Sequence, residues 1–443
     1  MKLYSENKNY KLYQGNMLDM LEVIEKESVD SIITDPPYEL NFMGKGWDNS
    51  GIAFQKETWQ KCYEVLKPGG YLLAFGGSRT FHRIACAIED AGFEIRDTIM
   101  WLYGSGFPKS LNIGLAIDKK NGVEREIIGY KPAITKGNSK WEGWGTALKP
   151  SFEPIIVARK PFKGSLADNV IEYGVGGINI DECRVPFVNE KDNTLRPLGN
   201  SCYQKGNKIV NRGEITGTRK LYSEIGGSAD KGRFPANTIL TYDENDFDEV
   251  CGGFPYNKSS LGPAYYKGNY TKNGWKNTSM KNTSKVIYND SGSASRYFYC
   301  AKASKKDRDE GLDEFEEIDG GSYQFRQDGS LDGKIPVRKN THPTVKPTEL
   351  MQYLVRLVSP EGATILDPFN GSGSTGKAVM YENKERNKNY KYIGIELTEE
   401  YLPIAKARIE YVCRTPLEIL KEQTEKIAEG QTNIFDFIGD DNY

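Results

Sequence analysis

Asp35-Pro36-Pro37-Tyr38 closes the apolar run at residues 29–34 of a 443-residue chain. Ile32 and Ile33 read as the end of a short buried strand, and neither proline carries an N–H to continue a ladder, so the strand stops there. The acid and the ring are thus fixed at a strand's C-terminal edge, where open α/β sheets bind ligands. The Asp35 carboxylate and the Pro36 carbonyl, which no helix pairs, form two adjacent hydrogen-bond acceptors. An exocyclic base amine calls for such a pair. Its lone pair is conjugated into the ring and is freed for in-line attack on a methyl donor only when both N–H groups are held. Tyr38 would then stack on a base turned out of the duplex, the route to an atom hidden in the helix. Taken alone, the same four residues also describe a turn with a packing tyrosine.

A second constellation stands near the other end. Asp367-Pro368-Phe369-Asn370-Gly371-Ser372-Gly373-Ser374-Thr375-Gly376 lies between an apolar strand-like run and a helix beginning near Lys377. Glycines there let the backbone approach a ligand, and the helix start offers free N–H groups. The turn lacks the lysine of a phosphate loop and the full GxGxxG spacing of a dinucleotide turn, which disfavours nucleoside triphosphates and NAD. Glu396 follows about twenty residues later at the end of the run 391–397, placed to accept from ribose hydroxyls. A ribose-bearing cofactor without a phosphate clamp remains, and S-adenosylmethionine fits. Its amino group and sulfonium are cationic, which makes Asp367 and nearby carbonyls favourable neighbours.

The elements that must position these residues alternate along the chain. Residues 11–18, 29–35, 70–77, 94–103 and 153–160 read as strands, and 53–67 and 79–92 have helical spacing of apolar positions. The last two strands are expected to pair antiparallel at one edge of an otherwise parallel sheet. Residues 347–360 and 398–412 read as helices, 363–369 and 391–397 as strands. Between the two α/β blocks the composition shifts to Gly, Asn, Ser, Lys and Tyr, which predicts an inserted, loop-rich lobe over the ligand edge of one doubly wound sheet. The expected division is 1–164, 165–335 and 336–415, followed by a C-terminal helix and acidic tail at 416–443.

Composition sets the bounds. A 38% hydrophobic, 27% charged chain is that of a soluble globular protein, and its N-terminus has no apolar core for a signal peptide. No stretch approaches the roughly 18 apolar residues of a membrane span, so a cytoplasmic protein is expected. Seven cysteines without a CxxC pair and two histidines suggest neither a zinc site nor a disulfide framework. A net charge of −2 excludes indiscriminate coating of nucleic acid but not a local basic face. Residues 257–300 supply such a face, with Lys267, Lys272 and Lys276 interleaved with Tyr270 and Trp275. Lys109 and Lys149, on Gly-flanked loops beside the sheet edge, would meet phosphates.

DPPY at 35–38, HPTVKPTELMQYLV at 342–355 and DPFNGSGSTG at 367–376 together resemble the beta-class amino-methyltransferases of DNA, a circularly permuted order of the methyltransferase fold. The signatures at 101–110, 144–160 and 232–240 look like a subgroup common in phage and mobile elements. The resemblance implies a mostly parallel seven-stranded sheet, S-adenosylmethionine as cofactor, double-stranded DNA as substrate, and an inserted target-recognition region. By resemblance Asp35, Pro36, Pro37 and Tyr38 form the catalytic motif, with Asp35 also bordering the cofactor. Asp367, Phe369, Asn370, Gly371, Gly373 and Ser374 form the cofactor loop, and Glu396 is the ribose acid. Thr344, Lys346 and Pro347 close over the methionine end. Where the family carries Gly-Asp at the tip of the first strand this chain has Gly15-Asn16, whose amide oxygen can still accept from the cofactor's adenine amine.

The acid at position 35 favours adenine N6, since a serine there is commoner with the rival target, cytosine N4. A protein glutamine methyltransferase would carry Asn-Pro-Pro-Tyr after the cofactor loop, the reverse of the order here. A non-catalytic DNA-binding module is disfavoured by the intact Asp35, Tyr38 and Glu396. A homodimer and a cognate restriction nuclease are left open, and nothing in the chain resembles a nuclease site.

Overall fold

A computed structural model of the chain describes residues 2–40, 46–103, 110–130, 133–187, 232–243, 298–303, 305–319 and 337–415, with short strand segments and single residues between and beyond them. One large sheet organises it. Its strands are β1 (Lys2–Glu6), β2 (Tyr10–Gln14), β3 (Val29–Thr34), β4 (Leu66–Phe75), β5 (Glu94–Tyr103), β6 (Phe152–Arg159), β7 (Thr238–Asp243), β8 (Tyr299–Ala303), β9 (Thr364–Asp367) and β10 (Lys391–Glu396). The order across the sheet is β1-β2-β10-β9-β3-β4-β6-β5-β7-β8. β6 runs antiparallel to both its neighbours and β1 antiparallel to β2; the other pairs are parallel. The expected seven-stranded sheet is therefore the centre, from β2 to β5, of a ten-stranded one.

Adjacent side chains on a strand point to opposite faces, and both faces here are covered. Ile33, Leu73, Ile155 and Ile365 pack on one side with helices α4 (Thr348–Val358), α5 (Ser374–Arg386) and α6 (Leu402–Cys413). Ile32, Leu72, Ile156 and Leu366 pack on the other with α1 (Met17–Leu21), α2 (Lys56–Val65) and α3 (Phe81–Asp90). Every residue of β3 is buried, as a central parallel strand requires. Register then sets the site: Ile365 and Leu366 pair with Ser31 and Ile32, which brings the ends of β3 and β9 side by side. Among the described residues no helix is long and apolar enough to cross a membrane.

Three readings of the sequence are corrected. The strand expected over 11–18 stops at Gln14, because Gly15 takes a positive φ and the Asn16 side chain accepts from Leu18 N–H to start α1. The β5/β6 pair is antiparallel as expected but is not an edge, since β7 and β8 extend the sheet beyond β5. Those two strands come from the stretch read as an inserted lobe; Ile239 and Leu240 of β7 are fully buried, and Trp101 Nε1 donates to Thr241 Oγ1 at 2.7 Å. The tail expected at 416–443 lies almost entirely outside the described residues.

Candidate functional site

The C-terminal ends of β10, β9, β3 and β4 open into a cleft of about 960 Å³. Asn16, Asp35, Pro36, Pro37, Tyr38, Thr344, Lys346, Asp367, Phe369, Asn370, Gly371, Ser374 and Glu396 all line it; Gly373 lies behind the lining.

At one end the chain leaves β3 through Asp35. Its Oδ2 is ion-paired with Lys346 Nζ, while its Oδ1 is buried and has no hydrogen-bond partner among the described residues. Lys346 also stands 3.6 Å from Glu153 Oε2 and lies over the rings of Tyr38 and Phe75, at 5.4 and 5.0 Å from their centroids. Burial alone would depress the Lys346 ammonium, but the charges of Asp35 and Glu153 outweigh it and hold its pKa above the ordinary lysine value. Tyr38 donates its hydroxyl to Glu153 Oε2 at 2.7 Å, and Tyr103 donates to Oε1 at 3.3 Å. Burial, then the charges of Asp35 and Glu153, push the Tyr38 phenol well up, so it stays a donor. Thr80 Oγ1 donates to the Tyr38 carbonyl at 2.8 Å, and Asp48 accepts the next two backbone N–H groups, including that of Glu39 at φ 55°. These bonds tie the chain after the two prolines to Asp48, and Leu40 and Asp48 line the same cleft.

At the other end the Gly-rich turn is pinned from below. Asp367 accepts from Thr34 Oγ1 at 2.7 Å, Thr375 Oγ1 at 2.6 Å and Phe369 N–H at 3.1 Å, tying β3, β9 and α5 together. Burial nevertheless pushes its carboxyl up to about 6. Gly371 (φ 50°) passes His342 so closely that a Cβ would lie 2.9 Å from Nε2, and Gly373 (φ 75°) would place one 3.0 Å from Ala405 Cα. Neither position tolerates a side chain, which is why the sequence carries glycine at both. Arg408, fully buried, donates to the Ser372 carbonyl at 2.8 Å and to Ser374 Oγ at 3.2 Å. Glu396 accepts Gly371 N–H at 2.6 Å through Oε2 and Thr398 N–H at 2.7 Å through Oε1; burial raises its pKa against those bonds. Each oxygen keeps a second acceptor site. Asn370 accepts from Tyr392 OH at 2.7 Å and fixes the turn to β10.

Asn16 is exposed at the rim, its oxygen already engaged as the α1 cap. Thr344, also exposed, donates its N–H to His342 Nδ1 at 3.3 Å; burial and the nearby Lys346, Arg408 and Arg308 charges depress His342 to about 3, so it is neutral. Phe369 packs beside Trp59, ring centroids 6.5 Å apart. Lys149 is exposed at the cleft mouth. Lys109, Lys267 and Lys272 lie outside the described residues, and only the strand path of Trp275 and Lys276 is described.

Sequence reasoning gave no role to Tyr103, Glu153 or His342, although they fall in the stretches 101–110, 144–160 and 342–355 that it singled out. Glu153 precedes Pro154 and a buried apolar run, the same acid-beside-proline signal as Asp35. Because β6 is antiparallel, its first residues sit at the edge where the parallel strands end.

A family model described as DNA methylase matches residues 29–407. Type II methyltransferase M.HindIII of Haemophilus influenzae is 31% identical over 210 residues, 38% of this chain and 64% of that protein. Type II methyltransferase M2.LlaDCHI of Lactococcus lactis subsp. cremoris is 26% identical over 223 residues, 40% of this chain and 82% of that protein. The chain thus spans just under two thirds of the first relative's length and most of the second's. Among solved structures it is similar to the cytosine-N4-specific PvuII DNA methyltransferase, at 13% identity and TM-score 0.39 over 92% of this chain and 90% of that one. With the family model running from the start of β3 into α6, over most of the chain, the chain belongs to the DNA methylase family.

Proposed function

We propose that this protein transfers a methyl group from S-adenosylmethionine to the exocyclic N6 amine of adenine in duplex DNA, with the target base turned out of the helix. The observation that carries the reading is Asp35 Oδ1, a buried carboxylate oxygen with no partner among the described residues, lining the cleft that also holds the Gly-rich turn and Glu396. An acceptor left so costs about 1–3 kcal/mol, which an incoming amine N–H relieves. With the Pro36 carbonyl as second acceptor, both amine hydrogens are held and the nitrogen lone pair is released from conjugation. Tyr38 offers its ring to the extruded base. No general base is required, because the proton left on the alkylated nitrogen can pass to water.

The donor set suits the cofactor. S-adenosylmethionine would supply an electrophilic methyl group on a cationic sulfonium. The outward acceptor sites of Glu396 would hold its ribose, Asn16 and Phe369 would border its adenine, and Thr344 and Lys346 would stand by its methionine portion. Gly371 and Gly373 let the backbone pass close to it. The acid at position 35 supports adenine over cytosine N4, whose sites more often carry serine. A DNA substrate would place the protein in the cytoplasm.

The test is transfer of labelled methyl groups from S-adenosylmethionine to unmodified duplex DNA, with RNA and protein offered as competing acceptors. Label in duplex DNA is expected. Label in RNA or protein with none in DNA overturns the reading.

A further inference from the structure

Lys346 is shared between two carboxylates. It is ion-paired with Asp35 Oδ2 and stands 3.6 Å from Glu153 Oε2, and its side chain is only 6% exposed. If Asp35 is to present itself to an amine, this ammonium must not be stranded, because an unpaired charge in a dry cleft is strongly unfavourable. Glu153 is built to receive it. Two phenols hold the carboxylate in place, Tyr38 at 2.7 Å on Oε2 and Tyr103 at 3.3 Å on Oε1. The Tyr38 ring is backed by Gly77, where a Cβ would come 3.2 Å from its Cδ2, and its carbonyl is tied to Thr80. The tilt of that ring therefore follows Glu153.

We propose that Glu153 is a positioning residue: it takes up Lys346 as Asp35 turns to the target amine, and it fixes the ring on which the target base stacks. The inference rests on the methyl-transfer reading above. It gives a role to a residue that the signature at 144–160 contains but does not explain, supplied by the antiparallel strand β6.

The full chain carrying E153Q keeps an acceptor for the phenols and loses the charge. In single-turnover transfer to duplex DNA at saturating cofactor its rate is expected to fall about tenfold or more, while calorimetric affinity for S-adenosylmethionine stays within about threefold. In a K346M background, where there is no ammonium to hand over, the same substitution should cause little further loss. E153D, which keeps the charge on a shorter arm, should transfer faster than E153Q. A wild-type rate in E153Q, an equal loss in the K346M background, or E153D no faster than E153Q overturns the proposal. If the unsubstituted protein transfers no methyl to duplex DNA, the methyl-transfer reading itself fails; if it does and E153Q matches it, only the role of Glu153 falls.

Discussion

The two ends of the cleft are built in opposite ways. The Gly-rich end is one contiguous stretch, residues 367–376, with Glu396 from the neighbouring strand, and its bonds run largely from side chains to nearby backbone or to groups beneath it. The Asp35 end is assembled from residues 35, 38, 103, 153 and 346, on four separate segments, and is held by one shared ammonium and two phenols around one carboxylate. Each end keeps one buried polar atom without a partner among the described residues, but at the first it is a donor, Arg408 Nε, on a residue beneath the turn, and at the second an acceptor, Asp35 Oδ1, on a residue that lines the cleft. On the proposed function the difference is a division of labour: the Gly-rich end would hold the cofactor, and the charged cluster would meet the substrate amine.

That division can be broken by separating binding from transfer. Asp35→Ala should lower methyl transfer by about 10³-fold, comparable with losing a preorganised polar group in other active sites, with cofactor affinity by calorimetry nearly unchanged. Parallel loss of affinity would merge the two ends. Next in size is a stability effect at the cradle. Burial holds Asp367 at about 6 in the fold, above its unfolded value, so the folded state binds the proton more tightly and stability is lost as pH rises through that window. Compared with Asp367→Asn, the natural protein should gain up to about 3 kcal/mol on acidification from about pH 7 to 3, read by chemical denaturation at each pH. A difference independent of pH contradicts it. Glu396→Ala should weaken cofactor binding by about 1.5–3 kcal/mol, roughly 10- to 100-fold, yet leave transfer at saturating cofactor within about threefold. Smallest is Tyr38→Phe, which keeps the stacking ring and removes the bond to Glu153. A loss of about 1 kcal/mol in transfer, and none in cofactor affinity, is expected from paired kinetic and calorimetric measurements.

What was legible in the sequence follows the same line. Asp35 and its prolines, the glycines at 371 and 373 and the acid at 396 each carry a local signal: a strand that must stop, a turn that must be tight, an acid at a strand tip. Glu153 carries its meaning only through β6 running antiparallel between β4 and β5, which no local pattern states. Strands β7 and β8 were hidden for a related reason, being short apolar runs in a Gly- and Asn-rich background whose partners lie far away in sequence. At Asn16 a cap won over strand periodicity, because Gly15 with positive φ ends the ladder. The internal brace from Thr34 to Asp367 spans 333 residues and appears only when β3 and β9 are placed side by side.

The central claim is that the Asp35 end polarises an exocyclic amine, and the most direct measurement is the identity of the methylated atom. Unmodified genomic DNA incubated with the protein and isotopically labelled S-adenosylmethionine would be digested to nucleosides and read by mass spectrometry. Labelled 6-methyladenine is the predicted product, and 4-methylcytosine would keep the amine chemistry while overturning the choice of base. Label on a ring carbon, as 5-methylcytosine, would contradict the account, since methylation there does not use an amine held by Asp35 and the Pro36 carbonyl.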